Sequence, residues 1–141
     1  MKNLFIAVII VLTFNCSAVE VTARLLNAIK GVESSGNSSA IGDNGKAVGA
    51  YQLHKIYVRD VNNILKNKGS KICFTYADRY NMHKSRYMTC IYLLHYGKVY
   101  ERKTGKVATA EVLSRIHNGG PDGWKKKSTL KYWYKVKKRL K

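Results

Sequence analysis

Two carboxylates ten residues apart define the chemistry this chain could do. Glu33 closes an amphipathic stretch within Gly31-Val32-Glu33-Ser34-Ser35, and Asp43 follows in the glycine-flanked run Gly42-Asp43-Asn44-Gly45. Cleaving a glycosidic bond takes a protonated acid for the leaving oxygen and a second group that stabilises, attacks or activates water at the anomeric carbon. Glu33 against apolar neighbours suits the first role, because desolvation disfavours its charged form. Asp43, in a polar loop, suits the second. The plainer alternative is a solvated glutamate at a helix end and an aspartate that forms a turn, and spacing alone does not choose between them.

The elements that must position these groups are mostly helical. Val21, Leu25, Ala28, Ile29 and Val32 fall at helical spacing and predict a first helix whose end delivers Glu33 to the core edge. From Ser34 to Gly49 the composition turns to Ser, Asn, Gly and Asp, which predicts an irregular loop or a short turn-linked β-ribbon. A second helix is predicted from Lys55 to Lys68, stopped by Gly69, and a third from Ser85 to Tyr96, ended by Gly97. A fourth starts after Thr109 as its cap and is broken by Asn118-Gly119-Gly120-Pro121. The last runs from near Ser128 with Leu130, Trp133, Val136 and Leu140 inward. The expected fold is therefore mainly α, a helical domain with a loop or small ribbon bordering a substrate cleft.

At 141 residues the chain holds one core, not two. Lys2, the apolar run Leu4 to Phe14 and Cys16-Ser17-Ala18 read as a secretory leader over 1–18, leaving a single domain over 19–141 and an exported, extracellular protein. A lipid anchor on Cys16 is the competing reading, and Thr13-Phe14-Asn15 is a poor context for it. Loss of the leader leaves Cys73 and Cys90, an even count in an oxidising compartment. That count fits one Cys73–Cys90 disulfide; two buried free thiols are the alternative.

Charge is the strongest compositional signal. The net charge is +18, and removing Lys2 with the leader lowers it by one. Such a field attracts polyanions: a bacterial envelope, nucleic acid or anionic lipid. Much of the excess lies in Lys125-Lys126-Lys127 and from Lys135 to Lys141, which also fits a solvated helix face.

Further motifs follow in order. Gly49-Ala50-Tyr51-Gln52 succeeds the Asp43 loop, Arg115-Ile116-His117-Asn118-Gly119-Gly120-Pro121-Asp122-Gly123 ends the fourth helix, and Thr129-Leu130-Lys131-Tyr132-Trp133-Tyr134-Lys135-Val136 opens the last. Together with Glu33-Ser34 they resemble the motif series of the lysozyme superfamily, and the two longer runs look most like invertebrate-type (destabilase-like) lysozymes. The loop from Gly42 through Gly49 to Gln52 is also similar to that of goose-type lysozymes. The resemblance spans Leu25 to Leu140 and implies an α+β lysozyme-like fold and hydrolysis of the β-1,4 bonds of peptidoglycan by a monomer without cofactor. Glu33 matches the general acid, and Asp43 the second carboxylate of the invertebrate type. Gln52, Tyr51, His117, Asn118 and Tyr132 match positions that contact the sugar chain or hold Glu33. Amide and imidazole groups pair with N-acetyl and hydroxyl groups, and Tyr rings offer flat apolar faces to pyranose rings.

The chain also departs from the patterns of the families it resembles. Invertebrate-type lysozymes are rich in disulfides, whereas the mature chain has two Cys. Where goose-type enzymes carry a further loop Asp, this chain has His54. A lytic transglycosylase, in which a single acid suffices, and a non-catalytic cationic protein therefore stay open as alternatives. His54, His83, His95 and His117 show no H-E-x-x-H spacing and the Cys pair no C-x-x-C, so no metal site is expected.

Overall fold

A computed structural model describes residues 19–141; the predicted leader and Cys16 lie outside them. Helix α1 (Ala23–Ser34) begins where the Thr22 hydroxyl accepts a hydrogen bond from the Leu25 amide, filling one of the orphan donors of the first turn. It buries Leu25, Leu26, Ala28 and Ile29, and Ser35 closes it in the left-handed region. Glu33 thus sits in its last turn.

The polar stretch beyond α1 forms a two-stranded antiparallel ribbon. Strand β1 (Ile41–Gly42) pairs with β2 (Ala47–Val48) in the register Ile41↔Val48 and Gly42↔Ala47. The turn between them, Asp43–Gly45, runs through three successive positive φ values of 47°, 52° and 85°. Asp and Asn tolerate this region better than other non-glycine residues, which is why a polar, Gly-ended triplet makes the turn. Buried Arg79 clamps the ribbon: its Nη1 donates to the carbonyls of Lys46 and Leu53, and its Nε to that of Tyr76. Gly49 makes the clamp fit. Its φ is +80°, and a Cβ there would overlap the Arg79 carbonyl.

Helices α2 (Lys55–Asn67), α3 (Met82–Thr104), α4 (Ala110–Gly119) and α5 (Leu130–Arg139) complete the domain. Helix α3 packs on α2 and α4, while α5 closes against α1 and α4. Ile29, Tyr51, Leu53, Val58, Val61, Met88, Leu93, Leu113, Ile116 and Val136 are almost wholly enclosed where they meet. Burying each large apolar side chain contributes about 1.5–3 kcal/mol, and this core is what fixes the ends of α1 and α4 side by side.

The structure corrects two readings here. Helix α3 does not stop at Gly97 but runs to Thr104, where Gly105 closes it. Gly97 is buried, and a Cβ on it would come within 2.8 Å of Val19 and 2.9 Å of Leu113. It is there to let a neighbouring helix approach, not to end its own. Cys73 and Cys90 are free thiols rather than a disulfide. Cys73 is exposed on a loop whose Phe74 backbone is bonded at both its N–H and C=O to the Asn62 side chain, whereas half-buried Cys90 lies on α3 beside Arg86, where burial pushes its thiol pKa up. An even cysteine count constrains pairing only when the backbone brings the two together.

Candidate active site

The ends of α1 and α4, the ribbon and the first turns of α2 enclose a cleft of about 480 Å³. Glu33, Asp43, Gln52, His117 and Asn118 all line it. Five residues spread over 86 positions of sequence are therefore gathered on one wall system by the packing of α1 and α4 against α5 and by the Arg79 clamp.

Glu33 is the sheltered carboxylate. Its side chain is 17% exposed, and its Oε1 lies 3.3 Å from Nε2 of His117, which is 3% exposed. The other imidazole nitrogen, Nδ1, faces the Tyr57 hydroxyl at 3.3 Å. Burial first, and then the neighbouring Tyr92, holds the Tyr57 pKa well above the usual phenol range, so this hydroxyl keeps its proton. A Tyr57 hydroxyl donating to Nδ1 leaves the Nε2–H to donate to Glu33 Oε1. Tyr57 is itself fixed by stacking on Tyr92, with ring centroids 3.8 Å apart. Tyr132 closes the back of Glu33: it is buried, and burial followed by the Glu33 charge raises its pKa well above the phenol range.

Asp43 is the open carboxylate, 52% exposed, with Oδ2 3.4 Å from Nε2 of His54. His54 thus stands beside the group whose usual acidic companion it replaces in the sequence. Gln52 lines the cleft with φ at +50° and donates from Nε2 to the carbonyls of Gly49 at 2.9 Å and Ala40 at 3.2 Å. Its amide nitrogen is thereby engaged in holding the ribbon. Asn118 is exposed at the mouth.

Tyr51 stands elsewhere. It is wholly buried in the core behind the ribbon and touches no part of the cleft, which corrects its reading as a sugar-contacting ring. Gln52, next to it in the same turn, is half-buried and lines the cleft. Ser34, the neighbour of the acid, donates to the Ala50 carbonyl at 2.8 Å and accepts from the Gly36 amide, a structural use of its hydroxyl.

The sequence reading left out Asp60, Tyr57, Tyr92, Ile56 and Pro121, all of which line the cleft. Asp60 lies three residues after Tyr57 on α2 and so shares its face, a signal that was available. Tyr92 was not legible, since only the packing of α3 against α2 turns it there. Among the described residues, no group of three His, Cys, Asp or Glu is arranged to hold a metal, and no helix is long and apolar enough to cross a membrane.

A mainly helical domain with a small antiparallel ribbon, and a shielded Glu across a cleft from an exposed Asp, is an α+β lysozyme-like architecture. Comparison with known proteins agrees. The chain is 29% identical over 140 residues to a lysozyme of Ostrea edulis, covering 97% of this chain and 94% of that one. It is 39% identical over 54 residues to a lysozyme of Meretrix lusoria (38% of this chain, 44% of that one), and 51% identical over 41 residues to a lysozyme of Magallana gigas (29% and 30%). A chain in the crystal structure of Aeromonas hydrophila PliI in complex with Meretrix lusoria lysozyme superposes with a TM-score of 0.67 and 27% identity, covering 84% of this chain and 89% of that chain. No protein-family model matches the chain. In sequence and in fold the chain is thus similar to the lysozymes of bivalve molluscs.

Proposed function

We propose that this protein is a secreted lysozyme that hydrolyses the β-1,4 bonds between N-acetylmuramic acid and N-acetylglucosamine in bacterial peptidoglycan. The observation that carries the reading is the contrast between the two carboxylates of the cleft: Glu33 is 17% exposed and Asp43 52% exposed. Two carboxyls in unlike surroundings divide the labour of acid and charge stabiliser.

His117 decides which Glu33 oxygen acts. An Oε1 that accepts the His117 Nε2–H leaves the acid proton on Oε2, the oxygen that hands it to the glycosidic oxygen as the bond breaks. Positive charge then develops at the anomeric carbon, and Asp43 meets it, by attack or through a water it activates. Water supplies the hydroxyl of the new reducing end, and Glu33 takes back a proton. Asn118 and the free face of Gln52 are positioned for N-acetyl and hydroxyl groups. Tyr132 backs the acid rather than the sugar.

The basic surface supports a wall-bound enzyme. Exposed Lys131, Lys135, Lys137, Lys138 and Lys141 on and beyond α5 concentrate the protein on anionic polymers, and the same charge draws it to nucleic acid or anionic membrane without specificity. The leader over 1–18, export and a monomeric state complete the proposal. Digestion of purified peptidoglycan, followed by mass analysis, tests it: hydrolysis yields reducing muramic ends. Anhydro-muramic ends would assign transglycosylation instead, and undigested glycan would leave a cationic binding protein.

A further inference from the structure

Beside the main cleft lies a second hollow of about 310 Å³, lined by Asn44, Gly45, Lys46, His54, Lys55 and Ile56. His54 and Ile56 belong to both walls, so the two spaces meet along a shared ridge. Their charges are opposite. The cleft gathers Glu33, Asp43 and Asp60, three of the eight acidic residues in the chain, whereas the hollow holds two lysines, a histidine and no carboxylate.

Among the described residues, neither lysine is paired with a carboxylate. The ammonium of Lys55 rests 5.3 Å from the centroid of the Tyr76 ring, a contact that orients the charge without neutralising it. The carbonyl of Lys46 accepts from Arg79, which fixes the backbone that carries the second ammonium. Asp43, the carboxylate nearest the ridge, is met on the cleft side by His54 Nε2. Ile56 is 57% exposed and gives the ridge an apolar flank.

We propose that this hollow is a subsite for a carboxylate-bearing substituent of the glycan, the carboxylate of a short peptide that branches through a lactyl group from a sugar ring seated in the cleft. The inference rests on the glycosidase reading above. An acidic branch is repelled by Asp43 and Asp60 in the cleft and attracted across the ridge by Lys46 and Lys55, with Ile56 against the methyl of a lactyl group. The pairing sets the orientation of the chain: the ring that carries the acid lies on the Asp43 side, and an uncharged chain gains nothing from the hollow.

The test compares muramyl dipeptide with tri-N-acetylchitotriose by calorimetric titration into the full chain and a K46Q/K55Q variant. The double substitution is expected to weaken muramyl dipeptide by about tenfold and to leave chitotriose within about twofold. Salt at about 0.5 M is expected to reproduce the loss in the unsubstituted protein. Equal affinity of muramyl dipeptide for both proteins, or none for the unsubstituted one, overturns the subsite. E33Q run in parallel keeps the two readings apart: if it still cleaves cell wall, the acid assignment fails, while the titration still decides the subsite.

Discussion

The Tyr57 hydroxyl lies 3.3 Å from His117 Nδ1, and through that imidazole a residue of α2 reaches the carboxylate at the end of α1. Both ring nitrogens of His117 are thereby engaged, and its side chain is 3% exposed. In the function proposed above, a histidine held in this way orients the Glu33 carboxyl and takes no part in proton transfer itself. Replacing it with alanine is expected to lower kcat by about 100-fold with little change in KM, because the acid loses its orientation and the sugar contacts stay. Glutamine, whose amide can still donate to Oε1, is expected to recover part of the loss. Steady-state kinetics on a soluble oligosaccharide check both, and equal losses for alanine and glutamine would point to a packing role.

Tyr51 supplies the control. Its side chain is wholly buried in the core, outside the cleft. Removing the hydroxyl with Y51F leaves the cleft lining in place and is expected to leave activity unchanged, with unfolding stability shifted by no more than about 1 kcal/mol. Urea unfolding and a lysis assay read the two outcomes.

Gly97 gives a prediction whose sign runs against helix propensity. Alanine in place of a mid-helix glycine normally stabilises by about 0.5–1 kcal/mol. Here the added methyl meets Val19 at 2.8 Å and Leu113 at 2.9 Å. Overpacking of a filled core costs about 1–3 kcal/mol, so G97A is expected to be net destabilising in thermal unfolding.

Asp78 links stability to pH. The Lys84 ammonium at 2.6 Å and the Thr75 amide at 2.8 Å hold its carboxyl below the usual carboxylate range. A depressed folded value adds stability that is full above the unfolded pKa, about 3.9, and is lost as pH falls through the folded value. Wild type is therefore expected to exceed D78N by about 1 kcal/mol at pH 6, the scale of a lost cap, with the gap closing at strongly acid pH. Chemical denaturation at a series of pH values measures it.

The parts of this fold that were legible in the sequence are those governed by local rules. Thr109 caps α4 as its type and position predict, and the apolar periodicity of Leu25, Ala28 and Ile29 locates α1. The polar run after Ser34 was open between loop and ribbon, and the ribbon forms because Arg79, more than thirty residues on, bonds the Lys46 carbonyl. Gly97 misled for the same kind of reason: its role lies in what approaches it, and no neighbouring residue announces that. Tyr51 and Gln52 carry equal weight in a motif, yet one is wholly buried in the core and the other lines the cleft. His54 was visible only as a missing aspartate, and its contact with Asp43 depends on where the ribbon turn places that carboxylate.

The proposed role of Glu33 is to give a proton to the glycosidic oxygen. Glutamine in its place keeps the shape and the hydrogen-bonding reach but has no proton to give, so the decisive measurement is the rate of turbidity loss of a bacterial cell-wall suspension with E33Q, alongside its circular dichroism spectrum. A native spectrum with lysis reduced by about 100-fold or more is the predicted result. Full lytic activity from a folded E33Q would contradict it.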